Sequence, residues 1–161
     1  VKNQKGLTLV ELLAVVVILG ILAAIAVPSI GGIIDNSKKD AHVANAQQMI
    51  SSARLATAGE SALNEMRPGE TKYVPLQFLL DKGYIEKIED PDGDGYKIGP
   101  SYTSVVDENT GLKSYVIVTR TDNTNTYSVK LYNDTRGVQS ETDNTPVDEA
   151  ALNREAVNDT E

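Results

Sequence analysis

From Leu12 to Val27 the chain carries no charged or strongly polar residue. A surface helix shows a polar stripe every three to four residues and a half-buried strand alternates, so an unbroken run of this length fits neither pattern. Leu7–Val10 before it and Ile30–Ile34 after it extend the apolar stretch to about 28 residues. At roughly 1.5 Å per residue a helix of that length crosses a hydrocarbon core with some left over. Lys2 and Lys5 precede the run, and Asp35 and Lys38–Asp40 follow it. The positive-inside rule then puts the N-terminus in the cytoplasm and the residues beyond Asp35 outside. One ionisable group, Glu11, sits within the stretch. A carboxylate near the middle of a spanning helix costs about 2.5–3.5 kcal/mol on insertion scales, so its presence asks for a role.

The rest of the 161 residues suffices for one modest domain. The formal net charge is −8, from 15 Lys+Arg against 23 Asp+Glu. The acids concentrate after the apolar run and would repel a phosphate backbone, which argues against direct nucleic-acid binding. The chain has no cysteine, which excludes disulfides, Cys–zinc sites and thiol chemistry. A single histidine, His42, argues against a His-based metal site or a Ser–His pair, and reads as an ordinary polar-face residue.

Helical signals continue beyond the apolar run. Pro28 and Gly31–Gly32 are places to bend it. Ile30, Ile33, Ile34, Ala41, Ala44, Ile50, Ala53 and Ala56 recur at roughly helical spacing, with Lys38, Lys39, Asp40, Gln47, Gln48 and Arg54 opposite. The stretch reads as an amphipathic extension ending near Gly59, its small inner residues suited to close packing on a sheet. Arg67-Pro68-Gly69 is a turn. A short helix is expected over "PLQFLLDKGYI", closed by Gly83. "DPDGDG", Asp90 to Gly95, is a loop. Strands are expected at Tyr96–Ile98, Tyr102–Val106, Ser114–Thr121 and Thr126–Tyr132, the last two forming a hairpin around Asp122–Asn125. The stretch from Gly137 to Glu161, acidic and poor in apolar residues, reads as mobile with a weak helix over Val147–Val157.

The apolar run alone would also suit a signal anchor, or a signal peptide cut after Ala24-Ile25-Ala26. Its first residues say more. Gly6-Leu7-Thr8-Leu9-Val10-Glu11 resembles the class III signal of type IV prepilins and type II secretion pseudopilins. That resemblance implies cleavage between Gly6 and Leu7 by a prepilin peptidase on the cytoplasmic face, followed by methylation of the Leu7 amine. Glu11 would be residue five of the mature chain. The family prefers phenylalanine at the cut site, so Leu7 is a departure. Pro28 falls where many pilins carry a helix-bending proline. "LLDKGYIEKIEDPDGDGY" looks like the helix–loop segment of major pseudopilins and many Gram-positive pilins. In a filament of staggered helices Glu11 would be a buried lone charge, which is costly. Pairing with the Leu7 amine of the neighbouring subunit would remove that cost and set the axial step. The implied roles are therefore processing for Gly6 and Leu7, and assembly for Glu11 and Pro28.

Asp90, Asp92 and Asp94, with Gly95, match the first half of an EF-hand-type calcium loop and are candidate metal ligands. Ser101 stands at the twelfth position in place of a bidentate glutamate, leaving Glu86 and Glu89 as nearby acids. The alternative is a solvated Asp/Gly turn. Calcium is the one candidate cofactor, and none is required by the filament reading. Tyr115, Tyr127 and Tyr132 read as sheet packing. Asn133-Asp134-Thr135 and Asn158-Asp159-Thr160 fit the glycosylation pattern but are not read as modified. No nucleophile–base set is visible.

The expected fold is α+β: a long N-terminal α-helix, transmembrane in its lower half, packed on a small antiparallel sheet of three to four strands. The expected organisation is a leader over 1–6, a transmembrane and filament-core helix over 7–34, an amphipathic extension over 35–58, a globular head over 59–136 and an acidic mobile tail over 137–161. The resemblance implies a structural subunit that waits in the cell membrane and polymerises into a homo-oligomeric helical filament at the cell surface. Its implied partners are the prepilin peptidase, the membrane, and an assembly platform with its ATPase. Surface pilus, competence pilus and type II secretion pseudopilus are the competing uses. A membrane-anchored extracytoplasmic enzyme is the alternative of another class.

Overall fold

The computed structural model describes residues 6–160; the leader residues 1–5 and Glu161 lie outside the described residues. The chain divides into two units, Val1–Ser37 and Lys38–Glu161.

In the first unit the apolar stretch is helical, as part of α1 (Leu9–Gly59, 51 residues). Its large side chains, from Leu9 through Ile25 to Ile34, are exposed all round. That surface is long and apolar enough to cross a membrane. Pro28 lies inside α1, where it lacks the N–H that would bond the Ala24 carbonyl.

In the second unit α1 carries its own core face. Ala46, Met49, Ile50, Ala53 and Ala56 are fully or almost fully buried, at helical spacing. The three alanines let the helix backbone come close to the sheet, and Met49 and Ile50 fill the space between, each contributing about 2–3 kcal/mol at most. At Gly59, the last residue of α1, a Cβ would stand 2.4 Å from the Tyr84 hydroxyl. That hydroxyl donates to Glu60 Oε1 at 3.1 Å. Then come α2 (Ser61–Asn64), β1 (Thr71–Pro75) and α3 (Leu76–Asp81). The remaining strands are β2 (Tyr115–Arg120), β3 (Asn125–Tyr132), β4 (Arg136–Val138), β5 (Val147–Asp148) and β6 (Val157–Asp159).

The sheet is antiparallel in the order β1-β2-β3-β4-β6, with β5 also pairing β3. Val116 faces Val129 and Val118 faces Tyr127 across the expected hairpin. Leu131 pairs with Val138, and Val138 with Val157. Tyr127, Val129 and Leu131 alternate inward along β3 and join the α1 residues in one core.

The α+β architecture stands, with corrections. The sheet has six strands, not three or four. β1 was not anticipated, and residues 96–98 and 102–106 are not strands; only Val106 bridges to Tyr73. Over its described residues, 137–160, the expected mobile tail is ordered structure: it supplies part of β4, all of β5 and β6, and two 3₁₀ turns, Glu149–Ala151 and Arg154–Ala156. Its few apolar residues sit where they count, since Val138, Ala156 and Val157 are buried in the core. Short strands need only two or three inward side chains when a neighbouring strand satisfies their backbone groups. Ile30, Ile33, Ile34 and Ala44 are exposed rather than inner-face residues.

Candidate functional site

At the start of α1, Thr8 and Glu11 form a reciprocal cap. The Glu11 amide donates to Thr8 Oγ1 at 3.2 Å, and Glu11 Oε2 accepts from both the Thr8 amide and the Thr8 hydroxyl at 2.8 Å. The first helical bond runs from the Leu12 amide to the Thr8 carbonyl. This is the Thr-x-x-Glu capping box, which satisfies donors that a helix start otherwise leaves open and places a carboxylate at the positive end of the helix dipole. Gly6 and Leu7 immediately precede it. A Cβ on Gly6 would meet nothing within 4 Å among the described residues, and Leu7 is 82% exposed. The capping signal was present in the sequence; Thr8 was missed as its partner because the acid was read only against the membrane.

A second constellation forms where α1, the Asp90–Gly95 loop and the β3–β4 corner meet. His42, expected on a polar face, is fully buried. Its Nε2 lies 2.8 Å from Asp92 Oδ2 and its Nδ1 lies 2.8 Å from the Tyr96 hydroxyl. A neutral ring donating from Nε2 to the carboxylate and accepting at Nδ1 satisfies both. Asn45, one turn along, donates to the same tyrosine oxygen at 2.9 Å. Burial pushes the Tyr96 hydroxyl well above the ordinary phenol range, against the pull of the Asn45 hydrogen bond.

Asp92 is the hub. Arg136 on β4 grips it with two 2.8 Å bonds, from Nε to Oδ2 and from Nη2 to Oδ1. Lys38 Nζ adds a longer ion pair at 3.4 Å. The Arg136 guanidinium holds the Asp92 carboxyl well below the usual carboxylate range; burial opposes it and the His42 bond assists. Asp90 folds the loop on itself, accepting from the amides of Asp92 at 3.0 Å and Gly95 at 2.9 Å. It also accepts from the Asn133 side-chain amide at 3.0 and 2.8 Å. Gly93 and Gly95 have positive φ, as this tight turn requires. Asp94 is exposed and accepts from the Thr135 hydroxyl at 2.8 Å. Of the three aspartates, Asp90 and Asp92 come together and Asp94 does not join them; His42 joins instead. Ser101 donates to Asp81, away from the loop. Asn133, fully buried, accepts the Thr135 and Arg136 amides and so shapes the β3–β4 corner.

Both ring nitrogens of His42 are engaged, one by Asp92 and the other by Tyr96.

Comparison with known proteins bears on the first constellation. Residues 1–27 match the prokaryotic N-terminal methylation motif. A fimbrial protein of Pseudomonas aeruginosa is 39% identical over 85 residues, 53% of this chain and 51% of the relative. The type II secretion system core protein G of Klebsiella michiganensis is 32% identical over 115 residues, 60% of this chain and 74% of that protein. The chain thus spans about half the length of the fimbrial relatives it matches. No solved structure matches it. With the methylation motif at its start, an exposed apolar helix continued into a sheet-packed face, and that 74% coverage of core protein G, the chain belongs to the type IV pilin and type II secretion pseudopilin family.

Proposed function

We propose that the chain is a structural, major-pilin-like subunit. It is cut between Gly6 and Leu7, methylated on the Leu7 amine, and polymerised into a helical type IV filament used for adhesion, motility or DNA uptake. The observation that carries this reading is an apolar helix, exposed on every side, that begins at a Thr8–Glu11 cap and continues into a separately cored head. Such a surface needs lipid before assembly and other helices after it. The subunit would sit in the cell membrane as a single-pass protein, then move to the cell surface. Its partners would be further copies of itself, the prepilin peptidase, and an assembly platform with its ATPase. The 74% coverage of core protein G favours a second reading, the pseudopilus subunit of a type II secretion system.

Intact mass of protein sheared from cells tests the proposal. Removal of residues 1–6 takes away Lys2 and Lys5 and moves the formal net charge from −8 to −10. A chain starting at N-methylated Leu7 supports it. A chain starting at Val27 is an ordinary signal-peptide product and overturns it. Deleting the gene separates the two uses: loss of surface filaments marks a pilus, loss of secreted enzymes marks a pseudopilus.

A further inference from the structure

His42, Asp90 and Asp92 offer one imidazole and two carboxylates whose ligand atoms lie within 4.8 Å of one another. By composition that set would suit a divalent cation, calcium through the carboxylates or a transition ion through the imidazole as well. The donors already facing it say otherwise. Asp92 accepts the two-toothed Arg136 fork and the His42 Nε2 bond. Asp90 accepts two backbone amides and the Asn133 amide. Asp94, the third ligand a calcium loop would use, is turned to Thr135. A divalent ion entering here would stand beside a fixed guanidinium and would displace hydrogen bonds on both carboxylates. In a site this buried, with 2% and 10% exposure of the Asp90 and Asp92 side chains, that repulsion is poorly screened.

We propose that Arg136 is the resident cation of this loop. Its guanidinium takes the place of a metal, keeps divalent ions out, and covers a latent His42–Asp90–Asp92 metal site. The arrangement has a structural consequence. Arg136 is on β4, which is zipped between β3 and β6, so the two-toothed charge on the loop is supplied by the C-terminal strands, with Lys38 of α1 adding only the longer 3.4 Å ion pair to Asp92. A soluble ion would leave loop order at the mercy of the medium, whereas a side chain ties it to completion of the sheet. The inference rests on the head alone and is independent of which filament the chain builds.

The test uses the full chain in detergent micelles, with head melting followed by tyrosine near-ultraviolet circular dichroism. Calcium, manganese and zinc chlorides are added in separate arms, and a chelator in a fourth. The wild type should melt at the same temperature in all four. Arg136→Gln, which keeps amide donors but removes the charge, should melt lower and regain stability with at least one of the ions. Calorimetric titration should show that ion binding the variant more than about tenfold tighter than the wild type. Adding Asp92→Ala to Arg136→Gln should abolish the binding. A wild-type melting temperature that rises with any of the ions overturns the proposal. So does an Arg136→Gln chain that binds none of them, whether it folds without metal or stays unfolded in every arm.

Discussion

His42 on α1 and Asp92 in the loop, fifty residues apart, meet at 2.8 Å inside the head, and Tyr96 takes the other ring nitrogen. This makes the histidine a strut between helix and loop. His42→Ala removes a fully buried ring and leaves both partners one bond short. Cavity and lost hydrogen bonds together cost about 2–4 kcal/mol, a fall of roughly 10 °C in the melting temperature. A variant that melts within a degree or two of the wild type would show that the ring is only filler.

Acid should loosen the head through Asp92. Its carboxyl is held below the ordinary value chiefly by Arg136, so the folded chain binds fewer protons than the unfolded one. The stabilisation is then fully present above the unfolded value near pH 4. It is lost as the pH falls towards the lower folded value. Melting temperature against pH should drop steeply below about pH 4 in the wild type and less steeply in Asp92→Asn, whose amide does not titrate. Equal slopes would mean that other carboxylates carry the acid limb.

The C-terminal strands offer a third check. Val157 is buried and pairs with Val138. Val157→Asp puts an unpaired charge into the core, which costs several kcal/mol and should leave the head unfolded or strongly destabilised. Limited proteolysis gives the companion result: the wild type should resist cleavage between residues 139 and 160. Rapid trimming of that stretch would return it to the status of a loose tail.

The parts that were legible in the sequence share a cause. The apolar run, the α1 extension to Gly59 and the β2–β3 hairpin are long and periodic, and each declares itself without knowledge of its neighbours. β1, β4, β5 and β6 are two to five residues long and exist only because a partner strand is in place. The α1 inner face was read correctly at Ile50, Ala53 and Ala56 but misplaced at Ile30, Ile33, Ile34 and Ala44, for a related reason. The sheet selects His42, Ala46, Met49, Ile50 and Ala53, and on an alanine-rich helix several phases look alike until something packs on one. The loop cluster was half legible. Asp90 and Asp92 announced a carboxylate site, but the guanidinium that grips Asp92 lies forty-four residues downstream of it in a segment read as leading into a tail. Only tertiary structure brings Arg136 there.

The last prediction concerns Glu11. In the single subunit its carboxylate is bonded to Thr8, so it enters the membrane with two hydrogen bonds already made. In a filament built by the amine pairing that the family resemblance implies, it would pair with the Leu7 amine of a neighbour. That pairing would be directional, because each subunit would give an amine to one neighbour and an acid to another. Glu11→Val keeps its own amine and loses only the acid. Alone, it should stay in the membrane, lose the cap at a cost of about 1 kcal/mol, and form few filaments. Mixed with wild type it should enter filaments, because its amine still finds a wild-type Glu11. Thr8→Ala loosens the same cap but leaves both assembly charges, so it should assemble nearly as wild type. The measurement is the mass-spectrometric ratio of variant to wild-type subunit in sheared filaments and in the membrane. Normal filaments from Glu11→Val alone would overturn amine pairing. An equally severe defect in Thr8→Ala would instead assign Glu11 to helix capping.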